Sequence, residues 1–187
     1  MNKKMIFYDS IDYIQRKVKD ILSKVSKDEI DKVKKLFLTS NRVFVYGSGR
    51  SGLVAKAFAI RLMHLGFQTF VIGETITAPV QQGDLVVIIS GSGETIPAVM
   101  TAEIARNLKA SVVSITGKRK SDIAHFADIT IYISAACNDI ERKKFAPLGT
   151  LFEASVWILL DGLIADLLET KHETEENMRG RHATLQQ

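Results

Sequence analysis

The sequence predicts an α/β fold in which a parallel sheet is covered by helices on both faces. Three observations carry this. Short apolar runs of strand length, such as Leu85-Val-Val-Ile-Ile89, alternate with longer apolar patterns at helical spacing. Two of the runs lead at once into glycine- and hydroxyl-rich turns, Gly47-Ser-Gly-Arg-Ser-Gly52 and Ser90-Gly-Ser-Gly-Glu-Thr95, and each turn opens a helix. Parallel strands need crossovers and cover on both sides, so a ligand crevice belongs at their carboxyl ends, where strand order reverses.

In chain order, Ile11, Ile14, Val18, Ile21, Leu22 and Val25 recur at helical spacing and predict an amphipathic helix from about Ser10 to Val25. Ser26-Lys-Asp-Glu29 matches a capping box, with Ile30, Val33, Leu36 and Phe37 as the apolar stripe of a second helix. These N-terminal helices, over 1–40, read as packing or assembly elements of a single domain spanning 1–187. The α/β core is expected over 42–170 and a polar tail over 171–187.

Val43-Phe-Val45 is the first strand, and a helix runs from Leu53 to Leu65 with Gly66 as its C-cap. That helix is apolar on nearly every side, which predicts burial on two sides and a subunit interface. Phe67 to Ile72 is a second strand, followed by a loop over Gly73 to Pro79. Leu85 to Ile89 is a third, fully buried, and Pro97 falls in the opening turn of a helix reaching about Leu108, where its missing donor does little harm. Ser111 to Ile115 and Ile129 to Ile133 are the fourth and fifth strands, separated by a loop and one helical turn. Ser134 to Phe145 reads as a polar, mobile connection to a long apolar helix, Ala154 to Leu168.

Composition narrows the function classes. The 187 residues suffice for one well-buried domain, about 70% of the unfolded surface being lost to water at this size. Cys137 is the single cysteine, so neither a disulfide framework nor a thiolate metal cluster is expected, and a reducing, cytoplasmic setting fits best. No apolar run reaches membrane-span length, and the first residues lack a signal-peptide pattern. The net charge of +4 is scattered among acids without a basic stripe or stacking aromatics, which argues against nucleic acid and for a small anionic partner.

The first turn alone is ambiguous. Gly47-x-Gly49-x-x-Gly52 satisfies a dinucleotide fingerprint, with Glu74 lying 22 residues past Gly52, yet it also serves simple strand-to-helix packing. The second turn decides for phosphate: Ser90, Ser92 and Thr95 set hydroxyls beside the amides of Gly91, Gly93 and Glu94, a combination suited to a terminal phosphate. Gly49 and Ser51 stand in the first turn, whose unpaired amides and helix end attract an anion. Arg50 beside them either pairs with phosphate or edges a solvated loop.

Across nearly the whole chain the residues resemble the sugar isomerase (SIS) family, and within it the 6-phospho-3-hexuloisomerases. The resemblance is carried by Gly49-Arg-Ser-Gly52, Ala59-Ile-Arg-Leu-Met-His-Leu-Gly-Phe67, Gly73-Glu-Thr, Ser90-Gly-Ser-Gly-Glu-Thr95, Pro147-Leu-Gly-Thr-Leu-Phe-Glu153 and Arg181-His-Ala183. It implies a three-layer αβα sandwich around a five-stranded parallel sheet, assembled as a homotetramer. It also implies conversion of D-arabino-hex-3-ulose 6-phosphate to fructose 6-phosphate, in the ribulose monophosphate route of formaldehyde assimilation. By the same resemblance Ser51 and the Ser90 to Thr95 loop hold substrate, and Glu153 is the proton acceptor.

Moving a carbonyl from C3 to C2 takes a base, an enediol and the return of a proton, chemistry that requires neither a metal nor a redox cofactor. Glu153 fits the base, although Thr150-Leu-Phe-Glu153 also matches a capping box. His64 is either a satisfied interface histidine or, as at this helix position in the wider family, an acid/base group. His182 is a third candidate, while Arg179 and Arg181 read as solvated tail charges. Some family members carry a ring-opening histidine after Gly-Glu; Thr77 stands at that position here. The rival readings are a noncatalytic sugar-phosphate sensor and a dinucleotide-dependent oxidoreductase.

Overall fold

The strand at the centre of the molecule, β3 (Leu85–Ser90), is buried at all six positions, which is what its unbroken apolar run requires. Each of its fully buried Val, Leu and Ile side chains contributes roughly 1.5–3 kcal/mol. The computed structural model describes residues 6–135 and 140–184; Cys137 and the middle of the Ser134 to Phe145 segment lie outside them. On either side of β3 lie β1 (Val43–Gly47) and β4 (Ser111–Thr116), with β2 (Thr69–Val71) and β5 (Ile129–Tyr132) at the edges. All four pairings are parallel and the order is β2-β1-β3-β4-β5.

Alternate residues of the strands face two separate cores. Val43, Val45, Val87, Ile89 and Ile115 pack with α1 (Ile6–Leu22), α2 (Lys27–Thr39), α3 (Arg50–His64) and α7 (Thr150–Thr170). Phe44, Val86, Ile88 and Val112 pack instead with the alanines of α4 (Ile96–Asn107) and with Ile123 of α5 (Asp122–Phe126). Helices therefore cover both faces, the three-layer arrangement expected. No described helix is long and apolar enough to cross a membrane.

Ser26 caps α2 as its motif predicts, accepting from the Glu29 amide at 3.3 Å. Three expectations need correction. Helix α3 begins at Arg50, three residues before the first apolar position, because Gly52 packs its first turn against Gly47. The connection after Ser134 ends in a short helix, α6 (Ile140–Phe145), and the tail folds into α8 (Glu175–Gly180), where Thr174 accepts from the Asn177 amide and Met178 is buried. At the opposite end of the sheet from the glycine turns, Asp84 is only 1% exposed and takes a forked pair of bonds from Arg42 Nε and Nη2 at 3.0 and 2.6 Å. The Gln81 amide adds a third bond at 2.7 Å, which fixes the loop entering β3.

Candidate active site

The switch point of this sheet lies between β1 and β3, because the chain leaves β1 toward β2 on one side and returns to β3 on the other. Gly47, the last residue of β1, pairs with Ile89, so the two glycine turns start about one strand spacing apart, ~4.8 Å. Each opens a helix pointing its positive end at the crevice, α3 after the first and α4 after the second.

The first turn is tight enough to dictate its glycines. A Cβ on Gly47 would lie 2.7 Å from the Ser51 carbonyl, and one on Gly52 would lie 2.6 Å from the Gly47 oxygen. Gly49, at φ 56°, is the N-cap of α3 and brings no side-chain bond to the first-turn amides, leaving that end open to an anion. Arg50 and Ser51 stand in this first turn.

The second turn is pinned from behind. Gly117 donates to the Gly91 carbonyl at 3.1 Å and Ile123 to the Gly93 carbonyl at 3.0 Å. Within it, Ser90 Oγ accepts from the Gly93 amide at 3.1 Å, and Ser92 Oγ from the Glu94 amide at 3.2 Å. Both hydroxyls also lie 3.3 Å from Thr95 Oγ1, the N-cap residue of α4, which places three hydroxyls in one cluster. Glu94 turns to Lys118 Nζ at 2.7 Å. No local pattern marks Lys118 as part of this site, although a loop following β4 belongs at this same edge of the sheet.

Glu153 comes to the crevice from α7, and the capping-box reading of its motif is overturned. Gly149 is the N-cap, the Thr150 hydroxyl donates back to the Pro147 carbonyl at 2.6 Å, and the carboxylate accepts instead from Arg50 Nε. The preceding Phe152 packs against Gly91, whose Cβ would lie 3.2 Å from its ring. Leu148, two residues before the first residue of α7, holds a left-handed φ of 54°, an uncommon conformation for leucine. A cavity of about 300 Å³ lies here, lined by Arg50, Leu53, Val54, Thr150, Glu153 and Trp157.

His64 and His182 form a separate group at the other end of α3. Their rings stack with centroids 4.0 Å apart, beside a neighbouring cavity of about 290 Å³ that shares Val54 and Trp157 with the first. His64 is buried, and among the described residues its Nδ1 has no hydrogen-bond partner. Burial, then the charges of His182 and Arg61, pushes its pKa below the ordinary histidine value. Arg181 is exposed as expected but is also paired: it donates to the His64 carbonyl at 2.8 Å and forks onto Glu173, whose carboxyl its hydrogen bonds hold below the usual range. Arg179, paired with Glu175 at the surface, is solvated as expected.

His64 lies about 21 Å along α3 from Arg50, the residue that touches Glu153, so the two candidate acid/base groups do not meet within one chain. Glu74, the ribose acid of the dinucleotide reading, is paired with Lys56 Nζ at 2.6 Å. The Thr77 hydroxyl closes its own turn, donating to Val71 and Glu74 carbonyls at 2.7 Å each. Among the described residues no three His, Cys, Asp or Glu side chains form a metal-ligand set.

Comparison with known proteins extends these findings. The SIS domain family model matches residues 36–151. A 3-hexulose-6-phosphate isomerase of Bacillus subtilis is 39% identical, over 87% of this chain and 89% of its own. Another, of Methylomonas aminofaciens, is 35% identical over 91% and 94%. A Methanococcus jannaschii protein whose crystal structure led to an inferred function of 3-hexulose-6-phosphate isomerase superposes with a TM-score of 0.85, at 30% identity over 95% of this chain and 99% of that one. A family match running from the end of α2 into the first turn of α7 takes in both glycine turns and their strands, and the chain belongs to the SIS domain family.

Proposed function

We propose that the protein is a 6-phospho-3-hexuloisomerase, interconverting D-arabino-hex-3-ulose 6-phosphate and D-fructose 6-phosphate through an enediol. The observation that carries the reading is a carboxylate, Glu153, only 13% exposed and bonded by Arg50 of the first glycine turn, beside Phe152, which packs on Gly91 of the second. The phosphate sits between the turns, against the amides and hydroxyls of Gly49 to Ser51 and Ser90 to Thr95, with Arg50 and the two helix ends balancing its charge.

With the phosphate held there, the open sugar chain extends along the groove toward Glu153. The carboxylate takes the C2 proton of the 3-ketose; the electron pair becomes the C2–C3 double bond, and the C3 carbonyl oxygen gains a proton. The resulting enediol collapses the other way. The C2 hydroxyl loses its proton to become the new carbonyl, and C3 receives a proton from the acid form of Glu153. Carbon oxidation levels are exchanged within the molecule, so the equation balances without an external oxidant or reductant.

The acting unit is a homotetramer in the cytoplasm, where charged sugar phosphates are retained. Its support is the pair of apolar faces the single chain leaves open. On one side of the sheet Leu53, Ile60 and Met63 of α3 join Trp157 and Ile158 of α7; on the other, Ile96, Met100, Ile104 and Leu108 recur every fourth residue along α4. Two self-complementary faces are what a tetramer with dihedral symmetry needs. Since His64 is distant from Glu153 of its own chain, any acid/base role for His64 or His182 requires the site of a second copy.

Hexulose phosphate made in situ from formaldehyde and ribulose 5-phosphate tests the reading: fructose 6-phosphate should accumulate in proportion to enzyme. Binding of fructose 6-phosphate with neither product formation nor exchange of its C3 proton into deuterium oxide would point to a noncatalytic sensor instead.

A further inference from the structure

We propose that Arg50 is a gating residue, holding Glu153 out of use until the substrate phosphate draws the guanidinium away. The inference rests on the isomerase reading above and adds a step to it. Within the chain Arg50 Nε donates to Glu153 Oε2 across 103 residues of sequence. That bond occupies Oε2, and Oε1 is turned onto Gly149, where an added Cβ would come within 2.9 Å of it; an oxygen that accepts an N–H bond on its open side does not present that lone pair to a proton on carbon.

The two partners are unequally held. The Glu153 side chain is 13% exposed and packed into the groove wall, while that of Arg50 is 70% exposed. If the pair breaks, Arg50 is the partner that swings. It is also the first residue of α3, on the anion-attracting end of that helix and one position from Ser51. A phosphate monoester arriving there carries nearly two charges and three acceptor oxygens, against the single charge of Glu153. The guanidinium fork matches phosphate with two parallel bonds, where it gives the carboxylate one through Nε.

Phosphate therefore displaces the carboxylate from Arg50, and the freed Oε2 faces the sugar carbons that arrive attached to the same molecule. No covalent bond changes in this step; one charge-assisted hydrogen bond is exchanged for others. An unphosphorylated ketose lacks the group that moves Arg50 and meets a base still engaged. The gate makes phosphate a requirement of the chemical step as well as of binding.

Exchange of the C3 proton of unphosphorylated fructose into deuterium oxide, followed by NMR, reads the base directly, with inorganic phosphite as a separate anion probe. Phosphite should accelerate exchange by the parent protein. Arg50→Ala should raise phosphite-free exchange about two- to fivefold, the equivalent of one partly exposed ion pair, and should lose the response to phosphite. The same variant should turn over hexulose 6-phosphate more slowly. If Arg50 only binds phosphate, removing it leaves fructose exchange unimproved. Exchange by Arg50→Ala no faster than the parent, undetectable exchange in both included, overturns the gate, as does an unchanged response to phosphite. Turnover of hexulose 6-phosphate by the parent is the separate control: its absence removes the isomerase reading, and with it the gate, whereas its presence with those exchange results removes the gate alone.

Discussion

Replacing Glu153 by glutamine separates chemistry from architecture at the centre of the site. The side chain contributes little to the fold: the cap of α7 is Gly149, and the carboxylate has one described partner, Arg50, whose own side chain is 70% exposed. Losing the charge of such a pair costs about 1 kcal/mol or less, and the carbonyl of the substituted amide can still accept from Arg50 Nε. A chain of 187 residues should then lose no more than about 4 °C of melting temperature. An amide cannot take a proton from carbon, however, and removal of a general base lowers kcat by roughly 10²–10⁴. The assay is conversion of in situ hexulose phosphate to fructose 6-phosphate, run beside a circular dichroism melt. A Glu153→Gln protein that turns over within a few-fold of the parent refutes the base assignment, and one that melts far lower refutes the claim that this carboxylate is structurally dispensable.

Three further outcomes follow from other parts of the molecule. Asp84→Ala strands the mostly buried Arg42 guanidinium and should cost about 3 kcal/mol, on the order of 10 °C in a thermal melt, with the site at the far end of the sheet unaltered. Because the folded-state pKa of His64 lies below the ordinary 6.5, the unfolded chain takes up the proton first as pH falls. Stability is therefore full above about pH 6.5 and declines below it toward the lower folded value; His64→Gln should flatten that part of a melting-temperature profile, and an unchanged slope contradicts the burial argument. Leu53→Glu places a charge on the open face of α3 and should shift the sedimentation coefficient to a smaller species, against which a parent-sized particle would count.

Much of this fold is legible in local pattern. Apolar runs of strand length mark all five strands, and the helical period marks α1, α2, α4 and most of α7, because the groups that fix these elements lie within a few residues of one another. Two short helices escape such reading. Helix α6 buries none of its described side chains and α8 only Met178, so neither writes an apolar period into the sequence. The start of α7 misleads for a different reason: Thr150 and Glu153 have capping-box spacing, but the carboxylate is claimed by Arg50 from elsewhere in the chain.

The same distinction runs through the site. Both glycine turns are contiguous stretches whose glycines and hydroxyls declare themselves. The His64–His182 stack, the Arg181 fork onto Glu173 and the Lys118–Glu94 pair join residues that only the folded chain brings together. The separation of His64 from Glu153 is likewise a consequence of helix length, since α3 carries Arg50 at its first residue and His64 at its last.

A crystal structure with fructose 6-phosphate bound tests the whole account most directly. The phosphorus should lie between the first turn of α3 and the Ser90 to Thr95 loop, with C2 and C3 beside the Glu153 carboxylate. A phosphate seated away from both turns, or sugar carbons with no carboxylate in reach, would contradict it.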